Sequence, residues 1–441
     1  MRYFLISLGC PKNTVDAESM GQLLNDAGYR AADSPQEAEL LIVNTCGFIE
    51  SARAESIGLL QELAQDKRPG QRLVAAGCLA QRAGKSLTDH VSGLDGILGT
   101  RRWMDIVKLA EGMRQSRHGA LYHIPNEGVI ASEPVGVTRA ATQGASAYLK
   151  IADGCRRPCS FCAIPLIKGP ARSRPPEAII AEARQLVAAG VQEIILIAQD
   201  TTDYGHDLNL RAGLASLIDD LLNAVPELPW LRVMYAYPGA ITPRLIDTLA
   251  RHPQVCHYLD LPLQHAHPDV LKRMRRPANM ISVSRQIDAL RAAMPDIALR
   301  TTFIVGFPGE TEAEFAELEM FVREVAFDKV GVFTYSHEEG TAAAELPDDV
   351  PPEIKNERYE RLMALQQGIS FSRNQDQVGQ SLKVLIEGSG DGLSLGRTYR
   401  DAPEVDGLLI IEEELPVGEM FQAQIIGAME YDLIGELEPG S

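Results

Sequence analysis

The chain carries, at residues 154–162, the stretch Gly154-Cys155-Arg156-Arg157-Pro158-Cys159-Ser160-Phe161-Cys162. Its three cysteines follow a CxxxCxxC spacing. Three thiolates can hold a four-iron four-sulfur cluster and leave one iron open for another ligand. Structural zinc normally takes four ligands, often from two CxxC pairs, and no second CxxC pair exists in the sequence. The stretch therefore predicts an open iron-sulfur site, with a zinc loop or three unrelated buried thiols as the alternatives.

The spacing, together with the aromatic residue Phe161 before the last cysteine, resembles the cluster loop of the radical S-adenosylmethionine (SAM) superfamily. In that superfamily the open iron chelates the amino and carboxylate groups of SAM. One-electron reduction then cleaves SAM to a 5′-deoxyadenosyl radical. The resemblance therefore implies SAM as a cofactor, a cluster on Cys155, Cys159 and Cys162, and a partial, open (βα)6 barrel around it.

Residues 147–375 show the alternation of strands and helices that such a barrel requires. Strand patterns begin near Tyr148, Glu193, Leu231, Val255, Leu299 and Val330, with helical patterns between them. Six strand–helix units are fewer than the eight of a closed barrel. We therefore expect an open barrel with its site at the carboxyl ends of the strands.

The superfamily resemblance also implies residues that contact SAM. The backbone near the fifth strand approaches the adenine in related enzymes, which maps to Val305 and Gly306, and Phe161 packs nearby. Gln199 follows the second strand, where related enzymes receive the methionyl part of SAM. No side chain is predicted to act as a catalytic acid or base, because the clusters and SAM carry the chemistry.

Other polar residues of this region have simpler interpretations. His265 and His267 are two apart in an extended segment, so local hydrogen bonding is favoured over metal binding. Cys256 lies within an apolar strand pattern and is interpreted as an inert core thiol. The basic run 272–276 is interpreted as a solvated helix end.

Three further cysteines lie in the first 116 residues, each at the end of a short apolar run: Cys10, Cys46 and Cys78. Such runs suit buried parallel strands, and helical patterns between them indicate an open parallel α/β sheet. The carboxyl ends of parallel strands meet at one edge, where ligands bind. We therefore expect the three thiols to converge on a second cluster, the alternative being three buried core thiols.

The segments around these cysteines narrow the resemblance to the radical SAM methylthiotransferases. They read Gly9-Cys10-Pro11-Lys12-Asn13, Asn44-Thr45-Cys46-Gly47-Phe48 and Gly77-Cys78. In that family the three cysteines carry an auxiliary four-iron four-sulfur cluster, where one SAM methylates a bound sulfur. A second SAM gives the radical that takes hydrogen from the substrate carbon. The resemblance thus implies two clusters, SAM, and an external electron donor of flavodoxin or ferredoxin type.

The rest of the chain is divided into a linker and a small barrel. Residues 117–146 show no period and are interpreted as a linker. A helical pattern runs from Pro351-Pro352 to about Asp376. Residues 376–441 then read as short strands with glycine-rich turns, which predicts a small antiparallel β-barrel. Gly396-Arg397 resembles the recurring dipeptide of the TRAM domain, which the family carries.

The barrel is strongly acidic, with three basic and thirteen acidic residues from 381 to 441. An RNA-binding barrel should be basic, so this charge argues against direct nucleic-acid binding and favours a basic protein partner. Cys-Pro-Lys-Asn at Cys10 and the stretch Asp401-Ala402-Pro403-Glu404-Val405-Asp406-Gly407 resemble the family branch that modifies the β-carbon of an aspartate in small-subunit ribosomal protein twelve. The alternatives are the branch that modifies an adenosine of transfer RNA and a non-catalytic iron-sulfur protein.

Composition sets the compartment that we expect. The chain has 441 residues, a net charge of −18 and seven cysteines, six of them in the two triads. That use of cysteine suits thiolate ligands in a reducing cytosol better than disulfides. The first residues show no signal-peptide pattern, and no apolar run approaches the ~20 residues of a membrane span.

Overall fold

The computed structural model describes residues 1–115, 119–125 and 144–438. The N-terminal domain is a six-stranded, wholly parallel sheet with helices on it, in the order β2-β1-β3-β4-β5-β6. Its elements are β1 (Arg2–Ser7), α1 (Pro11–Asp26), β2 (Arg30–Ala31), β3 (Leu40–Thr45), α2 (Glu50–Gln65), β4 (Arg72–Ala76), α3 (Gly77–Ala83), α4 (Leu87–His90), β5 (Gly96–Gly99), α5 (Ile106–Gln115) and β6 (Leu121–His123). The open parallel α/β sheet predicted from the sequence is confirmed.

Three short strands of this sheet were not predicted. β2, β5 and β6 span two, four and three residues, too few for an apolar run to show a period. β6 pairs with β5, so the interpretation of residues 117–146 as a linker is wrong for Leu121–His123. Residues 117–118 and 126–143 of that interpretation lie outside the described residues.

The central domain is an open, six-stranded parallel sheet in the order β7-β10-β11-β12-β13-β14. Its elements are β7 (Ser146–Lys150), β8 (Ala152–Asp153), α6 (Ile164–Lys168), β9 (Arg172–Ser173), α7 (Pro176–Ala188), β10 (Glu193–Ile197), α8 (Gly213–Ala224), β11 (Trp230–Val233), α9 (Pro243–Arg251), β12 (Val255–Asp260), α10 (Pro268–Arg273), α11 (Met280–Ala293), β13 (Ala298–Val305), α12 (Glu312–Val325), β14 (Lys329–Thr334) and α13 (Pro352–Gln375). Its two outer strands, β7 and β14, do not pair, which confirms the predicted partial barrel.

The C-terminal domain is a closed five-stranded barrel in the order β15-β16-β17-β19-β18. The strands are β15 (Ser381–Gly390), β16 (Leu393–Arg397), β17 (Leu409–Ile411), β18 (Met420–Ala428) and β19 (Leu433–Leu437). Four pairings are antiparallel, and β17 with β19 is parallel. The small barrel is confirmed, and the parallel pair is the one departure from a fully antiparallel arrangement.

Buried charge joins the barrel to the central sheet. Glu193 of β10 accepts from Arg232 Nε at 2.6 Å and from Arg397 Nη2 of the barrel at 2.6 Å. Burial raises the pKa of Glu193, but the two guanidinium groups outweigh burial and lower it to about 2. Arg400 pairs with Asp328 at 2.8 Å in the same interface.

Among the described residues, no helix combines the length and the apolar character that a membrane crossing requires.

Candidate functional site

Both predicted cysteine triads line one cavity of about 410 Å³ between the N-terminal and central domains. Cys10, Cys46 and Cys78 lie just past the carboxyl ends of β1, β3 and β4. The other triad lies in the loop between β8 and α6. The structure therefore brings together all six cysteines that the sequence singled out, from segments up to 152 residues apart.

Glycines allow the strand ends of the first triad to approach closely. Gly9 has φ +88°, and a Cβ there would lie 2.8 Å from Cys46 Cβ. Gly77 has φ +94°, and its Cβ would lie 2.4 Å from Asn44 Oδ1 and 2.7 Å from the Thr45 carbonyl. Any larger residue would push the cysteine loops apart, since both the backbone conformation and the space require glycine.

Asn13 fastens these loops together from the first turn of α1. Its Nδ2 donates to the carbonyls of Leu8 at 2.9 Å and Thr45 at 3.0 Å. Its own carbonyl accepts from Asn44 Nδ2 at 2.7 Å. Its Oδ1 accepts from Cys78 Sγ at 3.5 Å. One side chain thus links the ends of β1 and β3 to the third cysteine.

The loop of the second triad is held from several directions. The Cys155 amide donates to the Gly169 carbonyl at 3.1 Å. The Ser160 amide donates to the Met274 carbonyl at 3.0 Å. The Ser160 carbonyl accepts from the Ala343 amide at 2.7 Å. These backbone bonds tie the loop to the segments around Gly169, Met274 and Ala343.

The donor atoms of both triads fit iron-sulfur clusters. Burial raises the pKa of the Cys78 and Cys162 thiols to about 12, and raises that of Cys46 and Cys155 as well. Such thiols ionise when a metal centre supplies positive charge. Within the described ranges, no three His, Cys, Asp or Glu side chains converge on one metal ion. Each triad supplies three thiols, the number that a four-iron four-sulfur cluster with one open iron requires.

A fully buried charge network joins the two domains behind the cavity. Lys168 Nζ lies 3.0 Å from Asp16 Oδ2 of α1 and 3.0 Å from Asp153 Oδ2. Lys150 also donates to Asp16 and lies 3.8 Å from Asp153. Two cations face two anions, so the network is balanced despite burial. It fixes the N-terminal triad relative to the central domain.

The side of the cavity near the second triad is aromatic and basic. The Tyr237 ring contacts two guanidinium groups, with its centroid 4.1 Å from Arg157 Cζ and 4.4 Å from Arg276 Cζ. Arg276 Nη1 donates to Cys159 Sγ at 3.6 Å. Arg157 Nε donates to Asp200 at 2.6 Å. Cationic donors therefore face the cysteines, where a cluster would place negative charge on sulfur.

Two of the four residues predicted to contact SAM line this cavity. They are Phe161 and Gln199, and Gln199 Oε1 is buried without a hydrogen-bond partner. That orphaned acceptor suits an ammonium group such as the amino group of SAM. Val305 and Gly306 do not line the cavity: Val305 is fully buried, and the Gly306 amide donates to Glu310 at 3.1 Å.

The structure also places residues that the sequence interpretation missed. Arg276 was assigned to a solvated helix end, but it lines the cavity and contacts Cys159. This is a tertiary contact, which the periodicity of the sequence does not indicate. Local bonding by the histidines is confirmed, since His265 Nδ1 accepts from the His267 amide at 3.0 Å. Cys256 is buried, and burial raises its pKa to about 12.

Comparisons with known proteins match each domain. Residues 2–99 match the family described as "Uncharacterized protein family UPF0004", residues 149–322 the "Radical SAM superfamily", and residues 378–437 the "TRAM domain".

Relatives from several bacteria carry the name ribosomal protein uS12 methylthiotransferase RimO, and two of them illustrate the similarity. One, from Chloroflexus aurantiacus, is 50% identical over 99% of each chain. Another, from Desulforamulus reducens, is 46% identical over 98% of each chain. A solved structure, the radical SAM methyltransferase TsrM from Kitasatospora setae, aligns with a TM-score of 0.57 at 14% identity, covering 89% of this chain and 80% of its own. That likeness concerns the fold.

Proposed function

The chain belongs to the RimO family of radical SAM methylthiotransferases, and we propose that it inserts a methylthio group at the β-carbon of an aspartate in ribosomal protein uS12. The observation that carries this proposal is that both cysteine triads line one cavity. A site that joins sulfur to an unactivated carbon needs a radical generator and a sulfur carrier facing the same substrate atom.

Each triad has one role in this proposal. Cys155, Cys159 and Cys162 hold the four-iron four-sulfur cluster that binds SAM. Cys10, Cys46 and Cys78 hold the auxiliary cluster. When bound, these groups supply a primary carbon radical from one SAM and a methylated sulfur from another.

The protein side chains position and shield these groups. Gln199 Oε1 accepts from the amino group of SAM, and Phe161 packs against the cofactor. Val305 and Gly306 remain proposed adenine contacts. The exposed rings of Phe48 and Phe333 line the cavity as well, and they give an incoming substrate segment an apolar surface to pack on. Tyr235 and Tyr237 also line the cavity.

The surface of the barrel supports a basic protein as the substrate. Two of its three basic residues, Arg397 and Arg400, are buried against the central domain, which leaves Lys383 exposed. Its acidic residues are largely exposed, among them the run 412–414. Phosphate groups would be repelled by this surface, whereas a ribosomal protein with basic segments would be attracted. The transfer RNA alternative has no observation in its favour.

Two further expectations complete the proposal. Reductive cleavage of SAM consumes electrons, so a flavodoxin- or ferredoxin-type donor is proposed as a partner. A ribosomal protein substrate and cluster-binding thiols together favour a cytoplasmic location.

Anaerobic reconstitution tests the function. Protein loaded with iron and sulfide is incubated with SAM, a reductant and uS12 purified from a strain that lacks the gene. We expect 5′-deoxyadenosine, S-adenosylhomocysteine and a methylthio group on one aspartate, by mass spectrometry. The Cys256→Ala variant, which changes a core thiol outside both triads, is the control and should remain active. Efficient SAM cleavage without any modification of uS12 would refute the proposal.

A further inference from the structure

Four cationic side chains line the cavity in the described part of the chain. Three are already held by acceptors: Lys168 by Asp16 and Asp153, Arg157 by Asp200, and Arg276 by the Pro262 carbonyl and Cys159. The fourth is Lys12. Lys12 differs from the other three because its contact is an aromatic ring, whereas a buried cation is normally paired with an anion.

Lys12 lies in the first turn of α1, two residues after Cys10. It is only 8% exposed, and its Nζ lies 3.4 Å from the centroid of the Tyr235 ring. No carboxylate among the described residues forms an ion pair with it. Asp260, which acts on it electrostatically, is itself paired with Arg300 at 2.9 Å. Contact with an aromatic face offsets only part of the cost of burying an ammonium group.

Tyr235 is held in an unusual conformation that keeps its ring under Lys12. Its φ is +61°, in a region that side chains other than glycine seldom adopt. Its amide donates to Asp260 Oδ2 at 3.3 Å. Strain of this kind clusters at functional sites, where the surrounding structure maintains it. The ring thus holds the ammonium against the wall of the cavity, beside the N-terminal triad.

We propose that Lys12 binds the side-chain carboxylate of the substrate aspartate. This inference rests on the proposed function, which brings an aspartate into the cavity. Among the described residues that line the cavity, Asp200 is the one carboxylate, and it is paired with Arg157. Lys12 therefore remains available to a carboxylate of the substrate. The β-carbon is bonded directly to the carboxylate carbon. Anchoring the carboxylate on Lys12 therefore fixes the reacting carbon beside Cys10 and selects aspartate over its amide.

The test measures discrimination between two forms of uS12, without SAM so that no turnover occurs. One form carries the unmodified aspartate, and the other carries asparagine at that position. We expect the reconstituted wild-type protein to bind the aspartate form at least about tenfold more tightly, because a charge-assisted hydrogen bond is lost in the amide. Lys12→Met should bind both forms equally, and Lys12→Arg should retain part of the preference. Lys272→Met, which removes the same charge from an exposed helix position, should retain all of it.

Iron content and visible spectra are recorded first for every variant. If Lys12→Met does not retain both clusters, Lys12→Gln and Lys12→Arg are compared in the same way. A full aspartate preference in the neutral variants would overturn the proposal, and so would a wild-type protein that binds both forms equally. Failure of the proposed function looks different: the wild-type protein would then add no methylthio group to uS12 at all.

Discussion

Replacement of Glu193 by glutamine should loosen the attachment of the C-terminal barrel. Glu193 is fully buried between Arg232 and Arg397, with each guanidinium nitrogen 2.6 Å from a carboxylate oxygen. Arg232 also donates to the carbonyl of Tyr399 in the barrel at 2.7 Å. The neutral amide in Glu193→Gln would leave two buried arginines without their shared anion, and that is a costly arrangement.

The size of the effect follows from the pKa of Glu193. Burial raises it, but Arg232 and Arg397 outweigh burial and lower it from 4.5 to about 2. A shift of about 2.5 units corresponds to about 3 kcal/mol, which agrees with the ~3–5 kcal/mol typical of breaking a buried pair. Because the folded state lowers the pKa, this stability is present above about pH 4.5. It is lost as the pH falls toward 2.

Urea unfolding of the cluster-free protein measures this loss. Trp230 pairs with Glu193 in the neighbouring strand and lies in the apolar cluster at the barrel interface, so its fluorescence reports on that interface. Glu387→Gln is the matched control: Glu387 also contacts Arg397 at 2.6 Å but is 31% exposed. Its loss should cost less than ~1 kcal/mol.

Two results would refute this reasoning. One is equal destabilisation by Glu193→Gln and Glu387→Gln at pH 7. The other is a Glu193→Gln variant whose stability falls between pH 4.5 and pH 2 as steeply as that of the wild-type protein, since the variant has no carboxylate there to protonate.

Three further predictions concern the triads and the domain interface. Cys159→Ala should lose about four irons and all SAM cleavage while keeping the N-terminal cluster. Iron analysis and an assay for 5′-deoxyadenosine would measure both losses. Retained SAM cleavage would contradict the assignment of Cys159 as a cluster ligand. Gly77→Ala should lose the N-terminal cluster but still cleave SAM, because its Cβ would strike Asn44 and Thr45. The control is Gly70→Ala, also at positive φ but with open space around it, which should keep both clusters. Equal iron loss in the two variants would argue against the steric reason. Asp16→Asn should destabilise the domain interface by about 3–5 kcal/mol by leaving Lys150 and Lys168 facing one carboxylate, and unchanged urea unfolding would contradict that.

Much of the fold could be predicted because its signals are local. Apolar runs that end at Cys10, Cys46 and Cys78 predicted a parallel sheet, and strand ends of a parallel sheet meet at one edge. The meeting of the two triads in one cavity is a tertiary arrangement. It depends on the network around Asp16 and Lys168, whose members are spread over 152 residues with no shared pattern.

The roles of charged residues were harder to predict than the strands. Arg397 and Arg400 count as surface charge in any composition, yet both are buried against the central domain. Arg276 ends a basic run typical of a solvated helix end, yet it contacts Cys159. Lys12 belongs to a motif that indicated the family branch, but the motif assigned the lysine itself no role. In each case burial and partners decide the role, and both come from residues distant in sequence.

Mass spectrometry of uS12 and of transfer RNA from a strain that lacks the gene tests the central claim most directly. We expect the methylthio mark on the uS12 aspartate to disappear, to return when the gene is restored, and to stay absent with Cys78→Ala or Cys159→Ala. The marks on transfer RNA should be unchanged. Loss of the methylthio mark from transfer RNA, with uS12 still modified, would contradict the assignment of a protein substrate.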